Sequence, residues 1–136
     1  MTQTDLEAVM VDTDVASILF KKGDKQNKYR QLLDSHVLLL SFMGVAELYQ
    51  WAYQRGWGAK RLATLEFELS KYVIVPSNSY ICQVWAQVRA EGFAKGHPIQ
   101  PQDAFHAACA RYLGVPFVTN NPNDFKHVDD LEVWTA

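Results

Sequence analysis

Four short apolar runs punctuate this chain, separated by stretches long enough to hold helices, and that spacing constrains the fold more than any other feature. The runs are Ala8–Val11, Val37–Ser41, Tyr72–Val75 and Pro116–Thr119, with a weaker fifth at Leu131–Trp134. Each is short, rich in branched or aromatic residues, and bounded by polar or turn-forming residues, which predicts strands. The intervening segments have helical character. Val15–Phe20 runs on into a charged stretch reaching about Asp34, and Gly44–Gln54 sets Val45, Leu48, Tyr49 and Ala52 on one side. Leu62–Ser70 and Tyr80–Glu91 are similarly amphipathic, and the Ala-rich Gln102–Leu113 stops at Gly114. This alternation predicts an α/β fold: a mainly parallel central sheet of four to five strands flanked by helices. The 136 residues suit one domain spanning 1–136, with 1–8 expected as a flexible N-terminal extension. In open α/β sheets, sites form beyond the carboxyl ends of the strands.

Acidic residues stand at those ends. Asp12-Thr13-Asp14 follows the apolar Val9-Met10-Val11 at once. A carboxylate leaving a buried strand needs a cation, a hydrogen bond or a proton, although either Asp also suits a helix cap. Glu47 is the only charge between Asp34 and Arg55. Asp103 falls in the first turn of the Ala-rich helix, where Ala104, Ala107 and Ala108 permit close packing on the sheet. Asn121 and Asp124 follow the Pro116–Thr119 run, with Pro122 stiffening the loop. A sheet that converged these groups would need metal or protons to neutralise them. Oxygen-only donors suit Mg²⁺ or Mn²⁺ rather than zinc. The histidines are scattered, and His106 reads as a residue of the helix surface. No GxSxG, P-loop or GxGxxG occurs.

Other classes are disfavoured. The net charge of −2 argues against generic nucleic-acid coating, although Lys21, Lys22, Lys25, Lys28 and Arg30 cluster within ten positions. No stretch suits a membrane span, and Asp5 and Glu7 stand where a signal peptide would be basic, so a cytoplasmic location is expected. Cys82 and Cys109 form no CxxC pair and read as buried free thiols.

The ordered set Val11-Asp12-Thr13-Asp14, Ala46-Glu47-Leu48, Asp103-Ala104 and Gly114 to Phe125 resembles the PIN-domain ribonucleases, most closely the VapC-type toxins of bacterial toxin–antitoxin pairs. The resemblance spans nearly the whole chain. It implies a single PIN-like domain and Mg²⁺- or Mn²⁺-dependent hydrolysis of RNA, leaving a 5′-phosphate and a 3′-hydroxyl. Asp12, Glu47 and Asp103 match the family's acidic metal-site positions, Glu47 either orienting the attacking water or helping to hold a second ion. Asn121 and Asp124 share the last, with Asn121 expected nearer the metal. Thr13, Asp14 and Thr119 are expected to support the site, Asp14 standing where Asn is commoner. Lys21, Lys22, Arg89 and Lys95 are the candidates for holding RNA. A VapB-type antitoxin and a homodimer are the implied partners. Trp51, Tyr53, Trp57, Leu62, Leu65 and Phe67 suit a groove or dimer face, or equally the core, with Trp57 the best exposed anchor. Two other readings compete: a PIN-like binding module without activity, and a haloacid-dehalogenase-type phosphatase suggested by Asp12-Thr13-Asp14-Val15. The phosphatase lacks its downstream partners, because Asp129-Asp130 comes too late.

Overall fold

The computed structural model describes residues 7–21 and 23–136. All five expected strands form: β1 (Ala8–Val11), β2 (Val37–Ser41), β3 (Val73–Val75), β4 (Phe117–Val118) and β5 (Val133–Trp134). They lie in one sheet in the order β3-β2-β1-β4-β5, and every pairing is parallel. The chain lays β2 and β3 outward on one side of β1, then crosses to build β4 and β5 on the other. β1 is therefore the switch point, where a crevice opens at the carboxyl ends. Of the expected extension at 1–8, residues 1–6 lie outside the described residues. Ala8 opens β1, and the Glu7 carbonyl accepts from the Val37 amide.

Among the described residues six helices cover the sheet: α1 (Thr13–Phe20), α2 (Asp24–Leu33), α3 (Phe42–Gln54), α4 (Ala59–Leu69), α5 (Ser79–Ala94) and α6 (Pro101–Leu113). The alternating side chains of β1 split between two cores. Val9 and Val11 enter one with residues of α1 to α4, while Met10 enters the other with α5 and α6. The single helical stretch expected up to Asp34 is instead broken between α1 and α2. Continued, the inward face of Val15, Ala16 and Leu19 would bring Gly23 and Gln26 to the core. The break turns Tyr29 and Leu33 inward, and Gln26 donates to the Leu19 carbonyl at the end of α1. Caps set the other helices. Ser41 Oγ accepts from the Gly44 amide at the start of α3, and Asn78 from Ile81 at the start of α5. In α6, Pro101 occupies the first turn and Gly114 closes the helix at φ 67°.

Two expectations about individual side chains are corrected. Trp57 is no exposed anchor: it is buried with Leu65, packed against Phe20 and Trp51, whereas Tyr53 and Phe67 remain exposed. Of the cysteines only Cys109 is buried, its thiol pushed up to about 12 by burial, while Cys82 is exposed because it falls on the outer side of α5. Among the described residues no helix is long and apolar enough to cross a membrane.

Candidate functional site

The five carboxyl-terminal strand ends are not equally polar. β1 runs into Asp12, β2 ends at Ser41, and Thr119 follows β4. These three are among the few buried polar residues described. Above them a cleft of about 310 Å³ is lined by Asp12, Thr13, Asp14, Glu47, Asp103, Asn121 and Asp124 together with Lys21, Leu48 and Trp51. All five candidate catalytic positions therefore meet in one place. α1 delivers Thr13 and Asp14, α3 delivers Glu47, α6 delivers Asp103, and the 3-10 turn Pro122–Phe125 delivers Asp124.

Hydrogen bonds fix several of these groups. Asp12 stands at the N-cap of α1, where its Oδ1 accepts from the Thr13 amide at 2.8 Å and its Oδ2 from the Thr119 hydroxyl at 2.7 Å. Asp14 accepts from the Val15 amide at 2.7 Å, the Asn120 amide at 3.1 Å and Asn121 Nδ2 at 2.7 Å. It thus ties the loop after β4 to the start of α1. Tyr29, buried beneath, donates to Asn120 Oδ1 at 2.8 Å from the other side. None of these bonds goes to Asp103 or Asp124.

The expectation that His106 lies on a helix surface is overturned. It is fully buried at the floor of the cleft. Its Nε2 lies 2.6 Å from Glu47 Oε1 and its Nδ1 2.8 Å from Ser41 Oγ. The Thr13 hydroxyl donates to the same Glu47 oxygen at 2.8 Å. The sequence holds a signal for this arrangement: His106 follows Asp103 by three positions on α6, so the two share a helix face. Ser41 carries no comparable signal in the sequence, and Trp51, expected at a groove, a dimer face or the core, lines the cleft.

Burial first, and then charge and hydrogen bonds, set the titration of the site. Burial pushes the Asp12 carboxyl up to about 7, the charges of Asp14 and Asp103 add to the rise, and His106 and the Thr119 bond oppose it. Burial also raises Asp14, against the backbone bonds from Val15 and Asn120. Asp103 is raised by burial and by Glu47, Asp124 and Asp14. Burial would raise Glu47 too, but the bond and charge of His106 and the Thr13 bond outweigh it, and Glu47 is lowered. His106 is the counterpart. Burial opposes its protonation, yet the Glu47 bond and the charges of Asp12, Glu47 and Asp103 raise it. Protonated, it donates from both ring nitrogens and supplies a buried positive charge.

Asp12, Asp103 and His106 each bring one ligand atom within 4.8 Å of the others. His106 is nonetheless committed on both nitrogens, which leaves carboxylate and amide oxygens as the open donors. Five carboxyl groups lining so small a volume, two of them free of the hydrogen bonds above, fit a hard divalent cation. The expected basic residues are placed unequally. Lys21 lines the cleft. Lys22 lies outside the described residues. Arg89 donates to the Ile99 carbonyl and Lys95 pairs with Asp129 at 2.7 Å, both away from the cleft lining.

Comparison with known proteins agrees with this architecture. The PIN domain family model matches residues 9–131. The tRNA(fMet)-specific endonuclease VapC of Shigella flexneri is 27% identical over 128 residues, covering 93% of this chain and 97% of that protein. Ribonuclease VapC1 of Haemophilus influenzae is 26% identical over 130 residues, covering 93% and 97%. The structure of VapBC2 from Rickettsia felis, bound to a DNA fragment from its promoter, superposes with a TM-score of 0.84 at 22% identity. It covers 95% of this chain and 98% of the compared one. At that identity the likeness is one of fold.

Proposed function

This chain belongs to the PIN domain family, and on that footing we propose that it is a Mg²⁺- or Mn²⁺-dependent endoribonuclease, the toxin of a VapBC-type pair. The observation that carries the reading is the convergence of Asp12, Asp14, Glu47, Asp103 and Asp124 in one cleft at the switch point of a parallel sheet. The names of the relatives, ribonuclease and tRNA-specific endonuclease, support the substrate class.

Asp12 and Asp103 would hold the principal ion, with Asn121 and Asp124 completing the site. When bound, the ion lowers the pKa of a water and neutralises charge at the scissile phosphate. Asp12 is fit to bind in one orientation, because the Thr13 amide and Thr119 hydroxyl fix its carboxylate. Glu47, held by Thr13 and His106, keeps its charge and accepts from the attacking water. His106 and Ser41 position Glu47 and do not touch substrate. Asp14 holds the loop that carries Asn121 and Asp124. Cleavage leaves a 5′-phosphate and a 3′-hydroxyl. A VapB-type antitoxin and a second copy of the chain are the partners, with the exposed Tyr53 and Phe67 available to them. The protein acts in the cytoplasm.

The test is incubation of purified, antitoxin-free protein with a small-RNA pool, alongside Asp12→Asn, in Mg²⁺, Mn²⁺ or EDTA. Discrete fragments that require both metal and Asp12 are expected. Cleavage that persists in Asp12→Asn, or folded wild type that cuts nothing, would overturn the reading.

A further inference from the structure

Beside the acidic cleft runs a second groove of about 330 Å³, lined by Phe20, Lys21, Trp51, Arg55, Trp57 and Arg61. Lys21 and Trp51 line both, so the two are continuous. Its three cations stand on aromatic faces. Lys21 Nζ lies 4.8 Å and the Arg55 guanidinium 5.3 Å from the Trp51 ring centroid, and Arg61 lies 4.3 Å from that of Trp57. The rings are themselves braced, with Trp57 buried, 4.9 Å from Trp51 and stacked 5.4 Å from Phe20. Lys21, Arg55 and Arg61 are in none of the lysine and arginine ion pairs of the described residues, which engage Lys71, Lys95 and Arg111. What sets the three apart from other unpaired cations such as Lys25 and Lys60 is that they share one groove and its two indole rings.

The kind of partner matters. A carboxylate partner cancels a cation's charge, whereas the quadrupole of an indole holds the cation and leaves its net charge and N–H donors free. Among the described residues the groove therefore presents three uncompensated positive charges directly beside five carboxyl groups. A polyanion that places one phosphate in the acidic cleft meets repulsion there on its neighbouring phosphates. Fixed cations at the rim offset it. Cations interleaved with aromatic rings along a groove are also the arrangement that tracks a single strand.

We propose that this groove binds the backbone of single-stranded RNA, with Lys21, Arg55 and Arg61 contacting phosphates on one side of the scissile bond. The proposal rests on the nuclease reading above and adds the path by which substrate reaches the cleft. It brings in Arg55 and Arg61, which lie outside the acidic site and which no motif in the sequence singles out.

The experiment measures binding of a short fluorescent single-stranded RNA to the full chain carrying Asp12→Asn, across about 50 to 200 mM salt. Against this parent stand Arg55→Gln/Arg61→Gln, the charge-keeping Arg55→Lys/Arg61→Lys, and Lys60→Gln, an exposed position on α4 outside the groove. Thermal unfolding of each variant is read alongside. The double Gln variant is expected to weaken binding about tenfold or more. It should also flatten the plot of log Kd against log salt by about 1.4, at about 0.7 for each single-strand phosphate no longer neutralised. The Lys pair should keep most of the slope, and Lys60→Gln should leave it unmoved. An unchanged slope in a folded double Gln variant overturns the proposal, as does an equal loss from Lys60→Gln. A double Gln variant that binds RNA normally but releases a co-expressed VapB antitoxin also overturns it, assigning the groove to the protein partner. If the parent binds no RNA and wild type cuts none, the nuclease reading itself falls. If the parent binds and the variants bind alike, only this proposal does.

Discussion

Asp12 is held near 7 by burial and by its acidic neighbours, and that has a sign. A carboxyl whose folded pKa exceeds its ordinary 3.8 contributes stability that is full below 3.8 and is lost as pH rises through about 7. Asp14, Asp103 and His106 are shifted in the same sense. Metal-free protein should thus unfold at a lower temperature at pH 7.5 than at pH 5. Asp12→Asn should remove part of that fall, roughly 2 kcal/mol at about 1.4 per pH unit, and be the more stable protein at the higher pH. Paired melts in EDTA check this, and a wild type whose advantage over Asp12→Asn grows with pH would refute it. His106 carries the second prediction at this scale. His106→Ala strips Glu47 and Ser41 of their buried partner, so it should cost about 2–3 kcal/mol in denaturant unfolding and slow cleavage by loosening Glu47. An equally stable, equally active variant would show the imidazole to be idle. These two residues also mark what a sequence can disclose. Asp12, Glu47 and Asp103 are legible because an acid beside a buried strand or in an apolar helix demands an explanation. His106 is only half legible: its spacing from Asp103 puts both on one face of α6, but an imidazole there does not say whether that face meets water or a carboxylate, and Ser41 resembles an ordinary strand-end residue.

At the scale of elements, the strands are readable because each is a short apolar run with turn residues beside it. The break between α1 and α2 is not, because its polar residues have to be weighed against a core that the sequence does not display. The burial of Trp57 is hidden likewise, because its flanking glycines suggest a tip when the ring in fact closes on Phe20 and Trp51. The junction of β2 and α3 shows how closely these elements are fitted. A Cβ on Gly44 would lie 2.6 Å from Leu40 Cδ1 and 2.9 Å from its Cγ, and Leu40 is fully buried. The leucine has no room to give, so Gly44→Ala must push α3 outward, and α3 carries Glu47. The expected result is a loss of about 1–3 kcal/mol in stability, together with slower cleavage. Urea unfolding and a cleavage assay on the same preparation measure both, and unchanged stability would mean that the sheet yields where the packing says it cannot.

Across the whole molecule, the site draws on residues from Asp12 to Asp124, delivered by β1, α3, α6 and the loop after β4. No short segment of the chain holds the carboxyls together, so an ion that binds them binds the folded state and not the unfolded one. Parallel topology enforces this, because each strand reaches its partner only through a crossover of about a dozen or more residues that must be packed first, whether through helices or, between β4 and β5, through the 3-10 turn and its loop. Binding and folding are then linked. At a hundredfold excess over its Kd, a divalent ion should stabilise the fold by about 2.7 kcal/mol in a single cooperative transition. Mn²⁺ or Mg²⁺ should accordingly raise the unfolding temperature of wild type. The rise should vanish in Asp12→Asn and in Asp103→Asn, whose substitutions lie on different elements. It should survive in Asp129→Asn, an exposed acid paired with Lys95 away from the cleft. Should Asp129→Asn abolish the rise as completely as Asp103→Asn does, the ion acts on surface charge at large. Should wild type show no rise at all, the cleft is built to hold protons rather than metal, and its high-lying Asp12 would be the reason.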